Sequence, residues 1–222
     1  MDIYKVLEHI PLFKGLPPNE LRILAGCAKE RAYRAGQSII LDTEEARALY
    51  LVMWGRVKIF KSTAEGKEQT IFMFGPGEPF CLTALAEEFS PASAMALDDT
   101  RIIFFPADIL EEVVRKEPTI LFNLLLVFAR RLKESLTLIE SISLKELPQR
   151  LATFLIHSIA QEEHEYIVEL GFSHRELAKI LGTTPESLSR VFKKLSTDGV
   201  LGVEGRRIRI HDYQSLTRLA QG

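Results

Sequence analysis

Short apolar runs separated by glycine, proline or aspartate dominate residues 31–106. The runs are four to seven residues long and rich in β-branched and aromatic side chains, as in ALYLVMW, VKIF and RIIFF. Runs of this length and spacing are typical of antiparallel strands rather than of strands alternating with helices. We therefore predict a β-roll of about eight strands in this part of the chain.

Over residues 118–143 the apolar residues no longer form short runs but recur with a heptad period. This segment begins with a proline and then contains no glycine and no further proline, which favours one long helix. A seam with alternating spacings of four and three is formed by Leu121, Leu125, Phe128, Leu132, Ser135, Ile139 and Ile142. The stripe is widened by Ile120, Leu124, Val127, Leu136 and Leu138. We predict that one flank packs on the β-roll and that the seam pairs with a second copy in parallel; a helix buried within its own chain is the alternative.

The remaining residues predict a second, smaller domain. The pattern indicates a core helix over 150–161, a short strand over 166–170, helices over 173–182 and 184–199, and a hairpin over 200–210 that turns at Glu204 and Gly205. Three helices with a terminal hairpin describe a winged helix-turn-helix. The expected fold class is α+β, with a β-roll domain at 1–117, a dimerisation helix at 118–143 and a winged helix-turn-helix domain at 144–222.

Charge is distributed unevenly between the two ends of the chain. The formal net charge of all 222 residues is −2, which argues against a uniformly basic protein. From Gly171 onward there are nine Lys or Arg against five Asp or Glu, a net charge of +4, and the rest carries 19 against 25, or −6. An anionic partner is therefore expected at the C-terminal domain.

Two helices of this domain carry clear start and stop signals. Ser173 can cap the first, with Glu176 completing a capping box, and Gly182 supplies a residue that tolerates positive φ at its end. Thr184 can cap the next helix, and Pro185 fits its first position because an N–H is not needed there. Two capped helices joined by a glycine turn are the pattern of a helix-turn-helix.

The second of these helices has one apolar and one polar face. Leu188, Val191, Phe192 and Leu195 follow helical spacing and are expected in the core, which leaves the opposite side to Glu186, Ser189, Arg190 and Lys193. Arg can donate two hydrogen bonds to guanine, a carboxylate can accept from cytosine, and a hydroxyl can contact several bases. We therefore predict that Glu186, Ser189 and Arg190 read bases. The residues expected on the DNA backbone are Thr184, Lys193, Lys194, Arg206, Arg207 and, in the same basic wing, Arg209.

The whole chain resembles the CRP/FNR family of bacterial transcription regulators. The resemblance lies in LYLVMWGRVKIF, GPGEPF and TPESLSRVFKKLSTDGVL, in that order. It implies a homodimer that reads a palindrome in double-stranded DNA with two recognition helices, under allosteric control, with RNA polymerase as a partner. The pattern Glu-x-x-Ser-Arg at Glu186, Ser189 and Arg190 resembles the FNR branch and implies a TTGAT-like half-site. The cyclic-AMP branch instead has Arg where Pro185 stands and Gly in place of Ser189.

The resemblance also bears on the effector, because cyclic-nucleotide binders of the family share a phosphate-binding pattern. They carry Gly-Glu-Leu after the glycine turn and an Arg-Ser or Arg-Thr pair downstream. In this chain Cys81, Leu82 and Thr83 stand at the first place, and Ala92 and Ser93 at the second. Without the carboxylate and the cation, a buried phosphate would have no charged partner. These five residues are the candidate effector pocket, and cyclic AMP is not expected in the usual mode.

Other cofactors of the family are constrained by the few possible ligands. An iron-sulfur cluster normally needs four thiolates, and the chain has only Cys27 and Cys81, so we expect none. Phe80 and Cys81 resemble the Phe-Cys at which the carbon-monoxide sensor of this family ligates haem, although Thr83 replaces that sensor's His. Haem or redox chemistry at Cys81, with His9 as a distant ligand, is therefore one hypothesis, and a small buried core thiol is the other. No metal site is predicted.

Two functional classes are compatible with the sequence. No Walker loop, H-E-x-x-H motif or dinucleotide fingerprint is present, so we do not expect an enzyme. The favoured class is a DNA-binding regulator. We expect it in the cytoplasm, since the N-terminus lacks an apolar signal core and no apolar run could span a membrane. The alternative is a small-molecule or haem sensor module that acts through protein partners and has a degenerate DNA-binding domain. A degenerate domain would have no reason to keep Glu186, Ser189 and Arg190.

Overall fold

The computed structural model describes residues 2–42, 47–85, 89–162 and 165–221. The chain divides into two compact units, one of residues 1–67 and 71–134 and the other of residues 68–70 and 135–222. Both units combine antiparallel sheets with helices, which confirms the α+β class. Within the described part of the chain, no helix is long and apolar enough to cross a membrane.

Two four-stranded antiparallel sheets form the β-roll, with strand orders β1-β8-β3-β6 and β2-β7-β4-β5. The strands are β1 Lys29–Tyr33, β2 Ser38–Ile40, β3 Ala48–Trp54, β4 Val57–Ser62, β5 Glu68–Phe74, β6 Pro79–Phe80, β7 Ser93–Ala96 and β8 Thr100–Pro106. The predicted β-roll is therefore present. The sequence pattern missed the helices that accompany it, which are α1 Ile3–Leu7, α2 Pro18–Cys27 and α3 Ala107–Lys116.

The first sheet is covered on both faces at its central strands β3 and β8, which explains why these two strands read as nearly continuous apolar runs. Ile103 and Phe105 of β8 are buried against the helices, whereas Ile102 is buried between the two sheets. Alternate side chains of a strand point to opposite faces, so such a strand needs apolar residues at every position. The roll consequently has one core between its sheets and a second core under its helices.

The long helix α4 runs from Thr119 to Leu144 and uses its first turns to pack on the β-roll. Ile120 and Leu124 are buried in the core under the helices, and Val127 packs against the same core. Asn123 stabilises the same packing, because its side-chain amide donates to the backbone carbonyls of Leu12 and Lys14 at 2.9 and 3.0 Å. The predicted packing flank is therefore present in this part of the helix.

The apolar seam of α4 lies on the solvent side. Six of its members are exposed large apolar side chains: Leu121, Leu125, Phe128, Leu132, Ile139 and Ile142. Leu125 and Leu132 both leave 63% of their surface accessible, an unusual fraction for leucines in a folded monomer. Among the residues that the structure describes, the seam is therefore exposed, which favours the predicted pairing with a second copy over a helix buried within its own chain.

The second unit contains the helix-turn-helix and its hairpin. Its elements are α5 Leu147–Ser158, β9 Ala160–Glu162, β10 Glu165–Glu169, α6 His174–Ile180, α7 Pro185–Thr197, β11 Leu201–Glu204, β12 Arg207–Ile210 and α8 Tyr213–Gln221. The strands form one antiparallel sheet in the order β11-β12-β10-β9. Its core includes Leu151 and Leu155 of α5, Leu177 of α6 and Leu188 of α7.

Three details of this unit differ from the sequence prediction. The core helix ends at Ser158, and the residues after it form β9 in place of a last helical turn. The hairpin turns at Gly205 and Arg206, one residue later than predicted, because Glu204 is still paired with Arg207. A fourth helix, α8, follows the hairpin and buries Leu216 in the core.

We predict that the exposed seam drives self-association. The substitution Leu132→Glu should weaken dimerisation at least tenfold, because each subunit would place a carboxylate where an apolar side chain worth roughly 1.5–3 kcal/mol is buried. Sedimentation velocity at micromolar concentration measures this directly. Leu126→Glu is the matched control, since Leu126 is an exposed leucine of the same helix outside the seam. Equal sedimentation of the two variants would contradict the assignment of the seam.

Candidate nucleic-acid interface and effector region

Ser173 caps the first helix of the motif, α6, as the sequence predicts. The backbone N–H of Glu176 donates to the Ser173 hydroxyl at 3.3 Å. The carboxylate of Glu176 contacts the ammonium of Lys179 at 2.9 Å. After the helix, Gly182 adopts φ +62°, a conformation that residues with a Cβ rarely take. This glycine makes the tight turn that leads into α7.

The second helix, α7, begins at a threonine cap followed by proline. The backbone N–H of Ser187 donates to the Thr184 hydroxyl at 3.2 Å, which satisfies one of the free N–H groups of the first turn. Pro185 occupies the first helical position as predicted. The cap thus fixes where the recognition helix starts.

Packing separates α7 into the two predicted faces. Leu188, Phe192 and Leu195 are at most 6% exposed. The predicted base-reading residues Glu186, Ser189 and Arg190 are all exposed, and all three lie in the first half of the helix. The orientation that the motif requires is therefore present: the apolar face is held in the core, and the polar face is accessible from the N-terminal end.

The Glu186 carboxyl on this face is kept in its ionised form. The pKa of the Glu186 carboxyl is lowered because the carboxylate accepts hydrogen bonds from its own backbone amide and from Thr184, and because Arg190 lies nearby. Within the described residues, no salt bridge pairs the Arg190 guanidinium with a carboxylate. Both side chains are thus available as charged hydrogen-bonding groups.

The predicted backbone-contacting residues surround the base-reading ones. Lys193 and Lys194 follow on α7 and are exposed. Arg206 lies in the hairpin turn, and Arg207, also exposed, is 4.0 Å from a carboxylate oxygen of Glu169. Arg209, also proposed for the wing, is half-buried. A cleft of about 270 Å³ runs beside α7, and residues lining it include Ser189 and Lys193 of the helix, His174 of α6 and Val203 of the hairpin.

The structure divides the five predicted effector residues among different environments. Cys81 and Ala92 lie in the core between the two sheets, and Ser93 is buried nearby, where its hydroxyl accepts from the backbone of Asp42 at 3.3 Å. Leu82 instead packs into the core under the helices, and Thr83 is exposed. The side chains of Cys81, Leu82 and Thr83, which directly follow β6, therefore do not point into one common cavity.

Cys81 combines a buried thiol with a backbone conformation that favours glycine. Its φ is +52°, at the position where the resemblance places glycine in cyclic-nucleotide binders. Burial raises the pKa of the thiol to about 12, and a hydrogen bond with Ser90 opposes this shift. A thiol of this kind is protonated at neutral pH, which is the opposite of what ligation or nucleophilic chemistry requires.

His9, the second candidate haem ligand, lies elsewhere on the β-roll unit. Its Nδ1 is 2.8 Å from the carbonyl oxygen of Lys5, and the side chain is exposed. It lines a cavity of about 230 Å³ together with residues 76–79 and the α4 residues Val127, Arg130 and Arg131, and Cys81 does not line that cavity. Cys81 and His9 therefore do not fit a haem held between them.

Comparisons with known proteins identify both units. Residues 30–117 match the cyclic nucleotide-binding domain, and residues 149–219 match the Crp-like helix-turn-helix domain. The cyclic AMP receptor protein of Thermus thermophilus is 33% identical over 96% of this chain and 97% of its own length. The chain belongs to the CRP/FNR family of transcription regulators.

The comparisons extend to further relatives and to solved structures. The transcriptional activator protein anr of Pseudomonas aeruginosa is 27% identical over 86% of this chain and 80% of its own length. Among solved structures, FixK2 from Bradyrhizobium japonicum has a TM-score of 0.75 at 27% identity and covers 86% of this chain and 96% of its own. A mutant of CooA from Carboxydothermus hydrogenoformans shares the fold, with a TM-score of 0.81 at 24% identity over 99% of this chain and 96% of its own.

An ion pair that sequence reasoning missed connects the glycine turn of this CRP/FNR protein to α4. The carboxylate of Glu78 accepts from the Arg131 guanidinium at 2.8 Å and from the backbone N–H of Gly75 at 2.8 Å. Arg131 also pairs with Glu134 at 2.6 Å and lies 4.3 Å above the ring of Phe74. The residues are far apart in sequence, so only the motif GPGEPF could have drawn attention to Glu78.

We predict that Cys81 is chemically inert in the folded protein. With a thiol pKa of about 12, only about one Cys81 in ten thousand is a thiolate at pH 8. In a Cys27→Ser variant, alkylation by iodoacetamide at pH 8 should be at least about 100-fold slower than in the same variant unfolded by denaturant. Equal rates in the two states would show that Cys81 is accessible and activated.

Proposed function

We propose that this protein is a homodimeric regulator that binds a palindromic, TTGAT-like DNA site through the exposed face of α7. The observation that carries the proposal is the placement of Glu186, Ser189 and Arg190 at the N-terminal end of a capped helix whose other face is buried. In helix-turn-helix proteins this end of the second helix contacts base edges in the major groove. A two-fold dimer would present two such helices to two half-sites about one turn of DNA apart.

Each side chain has a distinct part in the proposed readout. Arg190 donates two hydrogen bonds to O6 and N7 of the guanine in each half-site, and Glu186 accepts from a cytosine amino group. Ser189 contacts a neighbouring base edge. Pro185 occupies the position at which the cyclic-AMP branch carries an arginine. This chain therefore lacks that contact, and recognition depends more heavily on Arg190.

The surrounding cations and caps hold the DNA backbone in the proposed complex. Lys193, Lys194, Arg206 and Arg207 neutralise phosphates, and the N-terminal end of α7 at Thr184 supports a phosphate through its free N–H groups. Such contacts position the protein without specifying sequence, and they make binding dependent on salt. Family members bind DNA as dimers, which agrees with these roles; RNA polymerase is proposed as the protein partner.

We further propose that the β-roll controls α4 in response to a small molecule other than cyclic AMP held in the usual mode. A 33% identical relative is named a cyclic AMP receptor protein, but in this chain Leu82 is buried and Ala92 supplies no cation. The proposed route of control is the Glu78–Arg131 ion pair, because it joins the glycine turn of the roll to the helix that carries the seam. A ligand that changes this contact would shift α4 and thereby the pair of recognition helices.

We predict different effects for two neighbouring cations of α7. Arg190→Ala should remove about 1–3 kcal/mol of discrimination per half-site, because the bidentate contact with guanine is lost. Lys193→Ala should weaken binding to all sequences alike and reduce the salt slope by about one, since only a phosphate contact is lost. Fluorescence anisotropy with an inverted TTGAT duplex and a duplex lacking its guanines, at several salt concentrations, separates the two outcomes.

The pair of variants also serves as its own control. Both are exposed cations on the same helix, so a general effect on folding or charge would be shared. Equal loss of sequence discrimination in the two variants would contradict the proposed division between base and backbone contacts. Absence of any discrimination by the wild-type protein would contradict the proposed site itself.

We predict that cyclic AMP does not stabilise the protein. A ligand at 100 times its dissociation constant raises the free energy of unfolding by about 2.7 kcal/mol, which a thermal melt detects as a shift of several degrees. With 1 mM cyclic AMP we expect a shift below about 1 °C, because Ala92 stands where cyclic-nucleotide binders of the family carry the arginine that pairs with the phosphate. A saturable shift of several degrees would instead mean that the nucleotide binds through other groups.

A further inference from the structure

The hydroxyl of Ser187 links the cap of the recognition helix to its arginine. It accepts a hydrogen bond from Nη2 of Arg190 at 3.1 Å, and it lies 3.1 Å from the hydroxyl of Thr184. Thr184 in turn accepts from the backbone N–H of Ser187 at 3.2 Å. A short chain of hydrogen bonds thus connects the start of α7 to the guanidinium.

This contact determines where the guanidinium lies along the helix. Ser187 is one turn nearer the N-terminus than Arg190, so the bond holds the arginine side chain toward that end, the direction in which long helical side chains lean. Among the residues that the structure describes, Ser187 is the hydrogen-bond partner of the Arg190 guanidinium. The arginine is therefore oriented by one neutral hydroxyl and keeps its full charge.

The bond to Ser187 is compatible with base recognition. A guanidinium has five N–H donors in a fixed plane, and a bidentate contact with guanine uses two of them. Ser187 uses one N–H of Nη2, which leaves the second N–H of that nitrogen and the other nitrogens for the base. The side chain can hence be held by Ser187 and donate to guanine at the same time.

We propose that Ser187 is a positioning residue that orients the Arg190 guanidinium for guanine before DNA is bound. The inference rests on the proposed reading of guanine by Arg190. A free arginine side chain loses considerable conformational entropy when it is fixed in one geometry, and an arginine that is already held loses less. Ser187 thereby increases sequence discrimination without touching a base.

The chain contains a matched control for this contact. In α8, Ser215 and Arg218 have the same spacing, and Nη2 of Arg218 donates to the Ser215 hydroxyl at 3.0 Å. The cap is also equivalent, since the carboxylate of Asp212 accepts from the backbone N–H of Ser215 at 2.9 Å. Ser215→Ala removes the same kind of hydrogen bond from a helix outside the proposed base-reading set.

The test compares full-length wild type with Ser187→Ala, Ser187→Thr and Ser215→Ala. Binding is measured by fluorescence anisotropy on the inverted TTGAT duplex and on the duplex with its guanines replaced. Ser187→Ala should lower the affinity ratio between the two duplexes about three- to tenfold per half-site, the size of one net hydrogen bond, and leave the affinity for the replaced duplex unchanged. Ser187→Thr, which keeps a hydroxyl, and Ser215→Ala should retain the wild-type ratio.

Folding does not confound this comparison. Alanine retains the backbone N–H that donates to Thr184, and its higher helix propensity offsets the loss of the 3.1 Å contact between the Ser187 and Thr184 hydroxyls. Thermal unfolding of Ser187→Ala is therefore expected to match that of the wild type. A lower melting temperature that accompanies equal losses on both duplexes would overturn the inference in favour of a purely structural role.

The remaining outcomes distinguish this inference from the proposed function. An equal loss on both duplexes, with normal stability, would mean that Ser187 contacts the DNA backbone. A loss that persists when Arg190→Ala is also present would mean that Ser187 acts without Arg190, and either result overturns the inference.

If Arg190→Ala loses discrimination but Ser187→Ala does not, the proposed function stands and the positioning role fails. If Arg190→Ala keeps discrimination, both fail.

Discussion

The packing of Leu188, Phe192 and Leu195 in the core of the C-terminal unit is the constraint on which the proposed DNA contacts depend. These side chains fix the rotation of α7 about its axis, so the opposite side is directed to solvent. The cap at Thr184 then fixes where the helix starts. The rotation of α7 and the residue at which it begins together determine which polar and charged side chains lie at its accessible N-terminal end.

A second constraint is the unsatisfied apolar seam of α4. Its leucines are far more exposed than a monomer would leave them, although the first turns of the same helix are buried on the β-roll. One helix therefore packs on the β-roll through its first turns and carries the exposed seam that we propose for self-association. Arg131 joins this helix to Glu78 of the glycine turn, and this ion pair is the contact through which we propose that the roll acts on α4.

Much of this architecture was predictable from the sequence because it depends on local periodicity. The strands, the long helix and both caps of the helix-turn-helix follow from spacing and from residue types such as Gly182 and Pro185. Short helices such as α1 and α8 were missed because five to nine residues give too few periods for a pattern to stand out; the seven-residue α6 was predicted from its cap and its glycine stop signal and not from its period. The distribution of Cys81 and Leu82 into two cores, and the Glu78–Arg131 pair, depend on the tertiary path of the chain, which neighbouring residues do not encode.

The proposed contact between Arg190 and the N7 atom of guanine is tested most directly by methylation interference. Dimethyl sulfate places a methyl group on guanine N7 in the major groove and blocks the acceptor that the arginine would use. Methylation of the guanine in either TTGAT half-site should prevent binding of the wild-type protein and have no effect on the residual binding of Arg190→Ala. Equal interference for the two proteins, or none for the wild type, would contradict the proposed readout.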